Sequence, residues 1–176
     1  MSSFATFLAG PEIVGHWSLD REQSHIDFVN GTMWGAVKVR GSFDDISASG
    51  DITAAKTVSG RVDIKADSID TGLKARDRDL RRANFFDSDR FPDITVVVTS
   101  GQFRDGDTVR LDSDLTIKGI TGQLPLIVTV SRLDDGGVRL STTTTVTRKQ
   151  FAVEGNFLAM VGNKTKLKAD LVFRKL

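Results

Sequence analysis

The side chains in this 176-residue sequence that could do covalent chemistry are few and poorly spaced for it. Its two histidines, His16 and His25, flank an expected turn, and no HExxH or paired-histidine spacing surrounds either one. A Ser-His-Asp site on a GxSxG elbow would need that motif between a strand and a helix, and no such stretch occurs. His25 and Asp27 are the nearest acid–base pair, and they are expected to fall on opposite sides of their strand. Gly162-Asn163-Lys164-Thr165 has the ending of a phosphate loop without its upstream glycine or following helix. There is no cysteine, which removes thiolate nucleophiles, disulfides and cysteine-rich metal sites. The inventory points to a binding protein rather than an enzyme, with no metal and no cofactor.

Arginine offers a different chemistry. Arg76, Arg78, Arg81 and Arg82 fall in one short segment, and a guanidinium is a planar multi-donor partner for a phosphate or carboxylate. Asp77 and Asp79 lie among them, so salt bridges are the ordinary fate of several of these groups. The formal net charge is only +1, with 27% charged and 39% hydrophobic residues, which argues against bulk nucleic-acid binding and against disorder.

The elements that must position these groups read as strands. Apolar and polar residues alternate with a period of two over 25–29, 36–43, 61–64, 94–98, 109–117, 124–130, 138–146 and 167–173. Ser49-Gly50, Ser59-Gly60, Asp105-Gly106, Asp134-Asp135-Gly136-Gly137 and Gly162-Asn163 are the turn signals between them. Pro125 lacks a backbone donor and must mark an edge, a bulge or a strand start. One segment, 71–86, changes period: Leu73, Leu80 and Ala83 fall on one helical face, predicting a short helix over one mouth of a barrel. Residues 1–14 read as a flexible extension and 15–176 as one β domain. No stretch approaches the roughly 18 apolar residues of a spanning helix. No Lys or Arg precedes the brief apolar stretch near the start, so a cytoplasmic location is expected.

Four stretches together resemble the YceI family of lipocalin-like, polyisoprenoid-binding proteins. They are Trp17-Ser18-Leu19-Asp20 with Ser24, His25, Ile26 and Phe28; Trp34-Gly35 leading to Val39-Arg40-Gly41-Ser42-Phe43; Ser68-Ile69-Asp70-Thr71-Gly72 with Arg76-Asp77, Leu80, Phe85-Phe86-Asp87 and Phe91-Pro92-Asp93-Ile94; and Leu115 to Thr121 running into Leu124-Pro125-Leu126, with Arg148 before Phe151. Thr32, Asp79 and Ala152 depart from the family pattern, standing where many members carry histidine, histidine and glycine.

The resemblance implies an all-β, antiparallel, lipocalin-like barrel of about eight strands with one short helix near a mouth. It implies an isoprenoid or other long-chain lipid as partner, of the quinone or prenyl phosphate type, held for sequestration, transport or storage, and it makes a homodimer plausible. A barrel of this size is either packed solid or holds one slim ligand, so a filled-barrel interaction protein without lipid is the alternative. Alternation nominates Phe28, Val37, Val39, Phe43, Ile64, Ile94, Val96, Val98, Leu115, Ile117, Leu126 and Val128 for the inner surface. Trp34, Leu80, Phe85 and Phe86 join them as candidates for the apolar channel, and Arg76, Arg81 and Arg148 as candidates for a polar head.

Overall fold

The computed structural model describes residues 3–31, 37–155 and 162–176. The alternating segments lie in strands, and the order along the chain is β1 (Gly15–Gly31), β2 (Lys38–Phe43), β3 (Ile46–Ile52), β4 (Val58–Lys65), β5 (Ile69–Asp70), β6 (Asp93–Phe103), β7 (Thr108–Ile117), β8 (Ile120–Gln123), β9 (Leu126–Arg132), β10 (Val138–Thr147) and β11 (Lys164–Lys175), of which the structure adds β3, β5 and β8. Ser49-Gly50 and Ser59-Gly60, expected as turns, instead lie within β3 and β4, where Gly50 pairs with Gly60. Pro125 lies just before β9, where its missing N–H costs the ladder nothing. Gly106 and Gly136 take positive φ in the β6–β7 and β9–β10 turns, as their turn signals require.

The pairing runs β11-β10-β9-β7-β6-β4-β3-β1, all antiparallel, and β11 returns to β1. Eight strands therefore close on themselves, and closure removes the exposed sheet edge that an open sheet would present. β1 is long because it serves two partners on the same side. Its first part pairs with β3 through Gly15–Ser18, and its second part, Ile26–Gly31, pairs with β2, which in turn carries β5. A bulge between Asp20 and His25 separates the two parts, fixed by the Ser24 hydroxyl, which donates to Asp20 O at 2.6 Å and accepts from Val172 N at 2.9 Å.

Glycine is required where β1 and β2 press together. A Cβ at Gly41 would stand 2.5 Å from the Phe28 ring and 2.7 Å from the Asp70 carbonyl oxygen, closer than atoms approach without displacement. Gly41→Ala is expected to lower unfolding free energy by about 1–3 kcal/mol, as overpacking does. A urea midpoint equal to that of the parent chain would refute this reading of the β1–β2 seam.

Both barrel ends are covered. Residues expected to form a loose extension contain helix α1 (Ser3–Ala9) and a 3-10 turn at Pro11–Ile13, and Phe7, Leu8 and Ile13 are buried. This segment is tied down by Trp17 Nε1 donating to Ile13 O at 2.9 Å, by Arg132 lying 4.8 Å from the Phe7 ring centroid, and by Lys175 Nζ donating to Glu12 O. Helix α2 (Lys74–Leu80) stands at the opposite end. It is shorter than the segment 71–86 predicted, because beyond Leu80 the chain folds back: Phe86 N–H bonds Leu80 O, Ser88 N–H bonds Arg81 O, and Asp87 takes φ +49°. No helix among the described residues is long and apolar enough to cross a membrane.

Candidate functional site

Alternation gives every barrel strand one face toward the axis, and those faces do not meet. They enclose a cavity of about 390 Å³. Phe28 on β1, Val39 and Phe43 on β2, Ile64 on β4, Ile94, Val96 and Val98 on β6, Leu115 and Ile117 on β7, and Leu126 and Val128 on β9 all line it, as the alternation predicts. Leu80, Phe85 and Phe86 line it from the α2 end. Phe86 meets Phe43 edge-on at 5.9 Å between centroids, and Phe43 meets Phe28 at 5.6 Å, so an aromatic column runs from the cover into the barrel.

Two nominations are corrected. Val37 precedes β2, is 57% exposed and is no part of the cavity wall, because the alternation that sets Val39 inward begins only where the strand does. Arg81 is exposed just past the C-terminus of α2, where its Nη2 reaches Ile69 O at 3.4 Å, and it borders a shallow polar depression outside the barrel. Trp34 lies outside the described residues. His25 and Asp27, expected on opposite sides of the strand, are both exposed on the outer face of β1, since residues two apart share a face, and they make no internal acid–base pair.

Three arginines border the cavity, Arg61, Arg76 and Arg148, of which Arg61 extends an exposed side chain to Asp63. Arg76 donates through Nε to the Thr71 hydroxyl at 2.7 Å and through Nη2 to Thr71 O at 2.8 Å. Asp77, expected to pair with neighbouring arginines, is buried and instead accepts from the Thr71 N–H at 2.9 Å and its hydroxyl at 2.5 Å. Thr71, Arg76 and Asp77 thus fix the start of α2. Arg148 is buried, and burial pushes its pKa below the ordinary arginine value while nearby Glu154 acts in the opposite sense. It donates to Gly162 O at 2.8 Å, Val153 O at 2.6 Å and Gly155 O at 3.0 Å. Asn30, also buried in the wall, donates to the same Gly162 O at 2.9 Å and to the Thr165 hydroxyl at 2.8 Å.

Much of the wall was not nominated from the sequence. Trp17, Ile13 and Leu8 close the α1 end, and Leu140, Thr142, Thr144 and Val146 on β10 face Leu167, Ala169, Leu171 and Phe173 on β11. The period-two signal for β10 and β11 was available, since both segments read as strands. Among the described residues no cluster of three or more metal-ligating side chains occurs.

A closed antiparallel barrel with an apolar interior and covered ends defines a lipocalin-type barrel. Residues 17–173 match the model of the YceI-like domain, and the chain belongs to that family. It is 32% identical over 149 residues to a UPF0312 protein of Staphylococcus aureus (strain USA300), covering 77% of this chain and 84% of that one. It is 30% identical over 128 residues to protein YceI of Shigella flexneri, covering 68% and 64%. Among solved structures, BcnA of Burkholderia cenocepacia superposes with a TM-score of 0.79 at 23% identity, covering 88% of this chain and 98% of that chain. A polyisoprenoid binding domain from Saccharophagus degradans superposes at 0.75 with 19% identity, covering 91% and 98%. These likenesses below 25% identity establish the fold.

Proposed function

We propose that the chain binds a long apolar ligand of the isoprenoid class, a quinone or prenyl phosphate, inside the barrel, and that it sequesters, carries or stores that ligand in the cytoplasm without chemical change. The cavity carries this reading. Its volume of about 390 Å³ falls in the roughly 300–1,000 Å³ range of pockets that bury a small ligand, and its wall is almost entirely apolar. Water gains little there, whereas a hydrocarbon chain gains roughly 25 cal/mol for each Å² withdrawn from solvent, before ordering costs. A filled barrel acting only as an interaction protein would need a solid interior, which this cavity opposes. The polyisoprenoid binding domain that shares the fold supports the ligand class.

Native mass spectrometry of the gently purified protein, followed by extraction, is the direct test. One discrete isoprenoid mass per chain is expected; a ligand-free chain that refuses added isoprenoids overturns the proposal. For a ligand with a charged end, Arg76 is the residue assigned to the head and Arg148 the second choice. Arg76→Gln is expected to weaken a prenyl phosphate about tenfold and leave a quinone unaffected, because only the former gains charge-assisted hydrogen bonds. Equal losses for both ligands in titration would remove Arg76 from that role.

A further inference from the structure

A group of exposed cations without carboxylate partners lies together on one outer face of the barrel. On β11, Lys164, Lys166 and Lys168 are exposed, while the alternate Thr165, Leu167 and Ala169 line the cavity. On β2, Lys38 and Arg40 are exposed as well. The register sets them in rows across β2, β1 and β11: Arg40 and Lys166 flank Val29, and Lys168 stands opposite Asp27. Lys38 pairs with Gly31, next to the Asn30–Thr165 pair that precedes Lys164 in the ladder. Exposed Lys149 follows the end of β10. Asp27 is the one acidic side chain in these rows. On β10 the neighbours of the three lysines are Thr143, Thr145 and Thr147.

Elsewhere on the sheet most strand cations have carboxylate partners, and Lys175 instead donates to the backbone carbonyl of Glu12. Arg61 meets Asp63, Lys65 meets Asp93, Arg110 meets Asp112, Arg139 meets Asp170 and Arg174 meets Asp20. None of Lys38, Arg40, Lys149, Lys164, Lys166 or Lys168 has such a partner among the described residues. Alternate residues along one strand lie about 6.8 Å apart, inside the Debye length of about 8 Å, so neighbouring cations on β11, and those on β2, repel one another in the free protein. An anionic partner would relieve that repulsion.

We propose that this face docks on an anionic lipid bilayer. It carries five lysines and one arginine, which act mainly as mobile point charges and suit a diffuse headgroup layer better than bidentate readout of a fixed anion. Among the described residues it displays no exposed aromatic ring on which a nucleic-acid base could stack. Its strands are the outer side of the wall that encloses the apolar cavity, and exposed Val37 adjoins Lys38 at its end. The choice of a bilayer over other polyanions rests on the reading of the cargo as a lipid, whose reservoir is a membrane.

Vesicle flotation tests this with the full chain and without any cargo. Binding is expected to phosphatidylcholine vesicles containing about 30% phosphatidylglycerol, to fall steeply with added salt, and to be absent from pure phosphatidylcholine. Replacing Lys164, Lys166 and Lys168 by Gln together is expected to weaken it roughly a hundredfold, at about one decade or slightly less per lysine, with the melting temperature unchanged. Failure to bind anionic vesicles at low salt, equal binding to both vesicles, or equal binding by the triple variant overturns the proposal. So does retention of an oligonucleotide by a chain that ignores vesicles, which would reassign the face to nucleic acid. Isoprenoid loading measured separately in detergent reports on the cavity alone, so either reading can fail without the other.

Discussion

Ala169→Phe is expected to abolish most ligand binding while leaving the barrel folded. Ala169 lies on β11 and faces the cavity between Leu167 and Leu171 on the same wall. A phenyl ring there is expected to enter the cavity that Ala169 lines. Filling a void costs little or stabilises slightly, whereas overpacking a solid core costs about 1–3 kcal/mol. The ligand, by contrast, loses its path along the axis. A fall of at least about a hundredfold in affinity is expected, equivalent to about 2.8 kcal/mol. The control is Thr143→Phe on β10, whose side chain is exposed and is expected to change nothing. Fluorescence titration with an isoprenoid quinone decides the matter. Undiminished affinity in the Ala169 variant would place the ligand outside the barrel, and a large loss of stability would mean that the interior is packed.

The architecture was legible wherever apolar residues mark the inward positions. Val96 and Val98, or Leu115 and Ile117, announce both a strand and its buried face. Legibility failed where the inward residues were small or hydroxylated. β3 turns Ile46, Ala48, Gly50 and Ile52 inward, and with Ala and Gly among them its alternation is too weak to register. On β10 the cavity side carries Thr142 and Thr144, which a count of apolar residues passes over although their methyl groups suit an apolar wall. β1 hid its length for another reason. Trp17 and Phe28 both line the cavity, yet an odd and an even position cannot share a face of one regular strand. The bulge at Ser24 reverses the parity between them, and no local pattern in the sequence announces it.

The positively charged groups were legible in type and not in role. Arg76 and Arg81 lie five residues apart in a charged segment, and only the fold separates the one at the cavity wall from the one outside it. The lysines of β11 read simply as the polar half of an alternation. Their significance appears when the register sets them beside β1 and β2, which come from the other end of the chain. Which charges remain unpaired is a property of strand pairing across more than 120 residues of sequence, as Val29↔Lys166 illustrates, and composition averages it away to a net +1.

Arg148→Met is expected to be the most destabilising of these changes. Its guanidinium bonds three backbone carbonyls, those of Gly162, Val153 and Gly155, and thereby holds the segment after β10 against the start of β11. The neighbouring chain leaves no slack: Gly155 presses on the Phe85 ring and donates its N–H to Asn84 O, and Lys118 Nζ bridges Ala83 O and Ala152 O at 2.8 and 2.9 Å. Methionine fills comparable space and donates nothing, so buried carbonyls lose charge-assisted partners worth roughly 1.5–3 kcal/mol each. Partial relaxation brings the expected loss to about 3–5 kcal/mol, the range seen when one member of a buried charged network is removed. Arg148→Lys should recover only part of it, because a single ammonium cannot reproduce the planar fork that spans Gly162 O on one side and Val153 O on the other. Denaturant unfolding separates this role from headgroup recognition. A midpoint shift in both variants, with quinone and prenyl phosphate affinities falling together, marks Arg148 as the clamp of the mouth; an unchanged midpoint with loss of phosphate binding alone would make it the ligand's counter-ion instead.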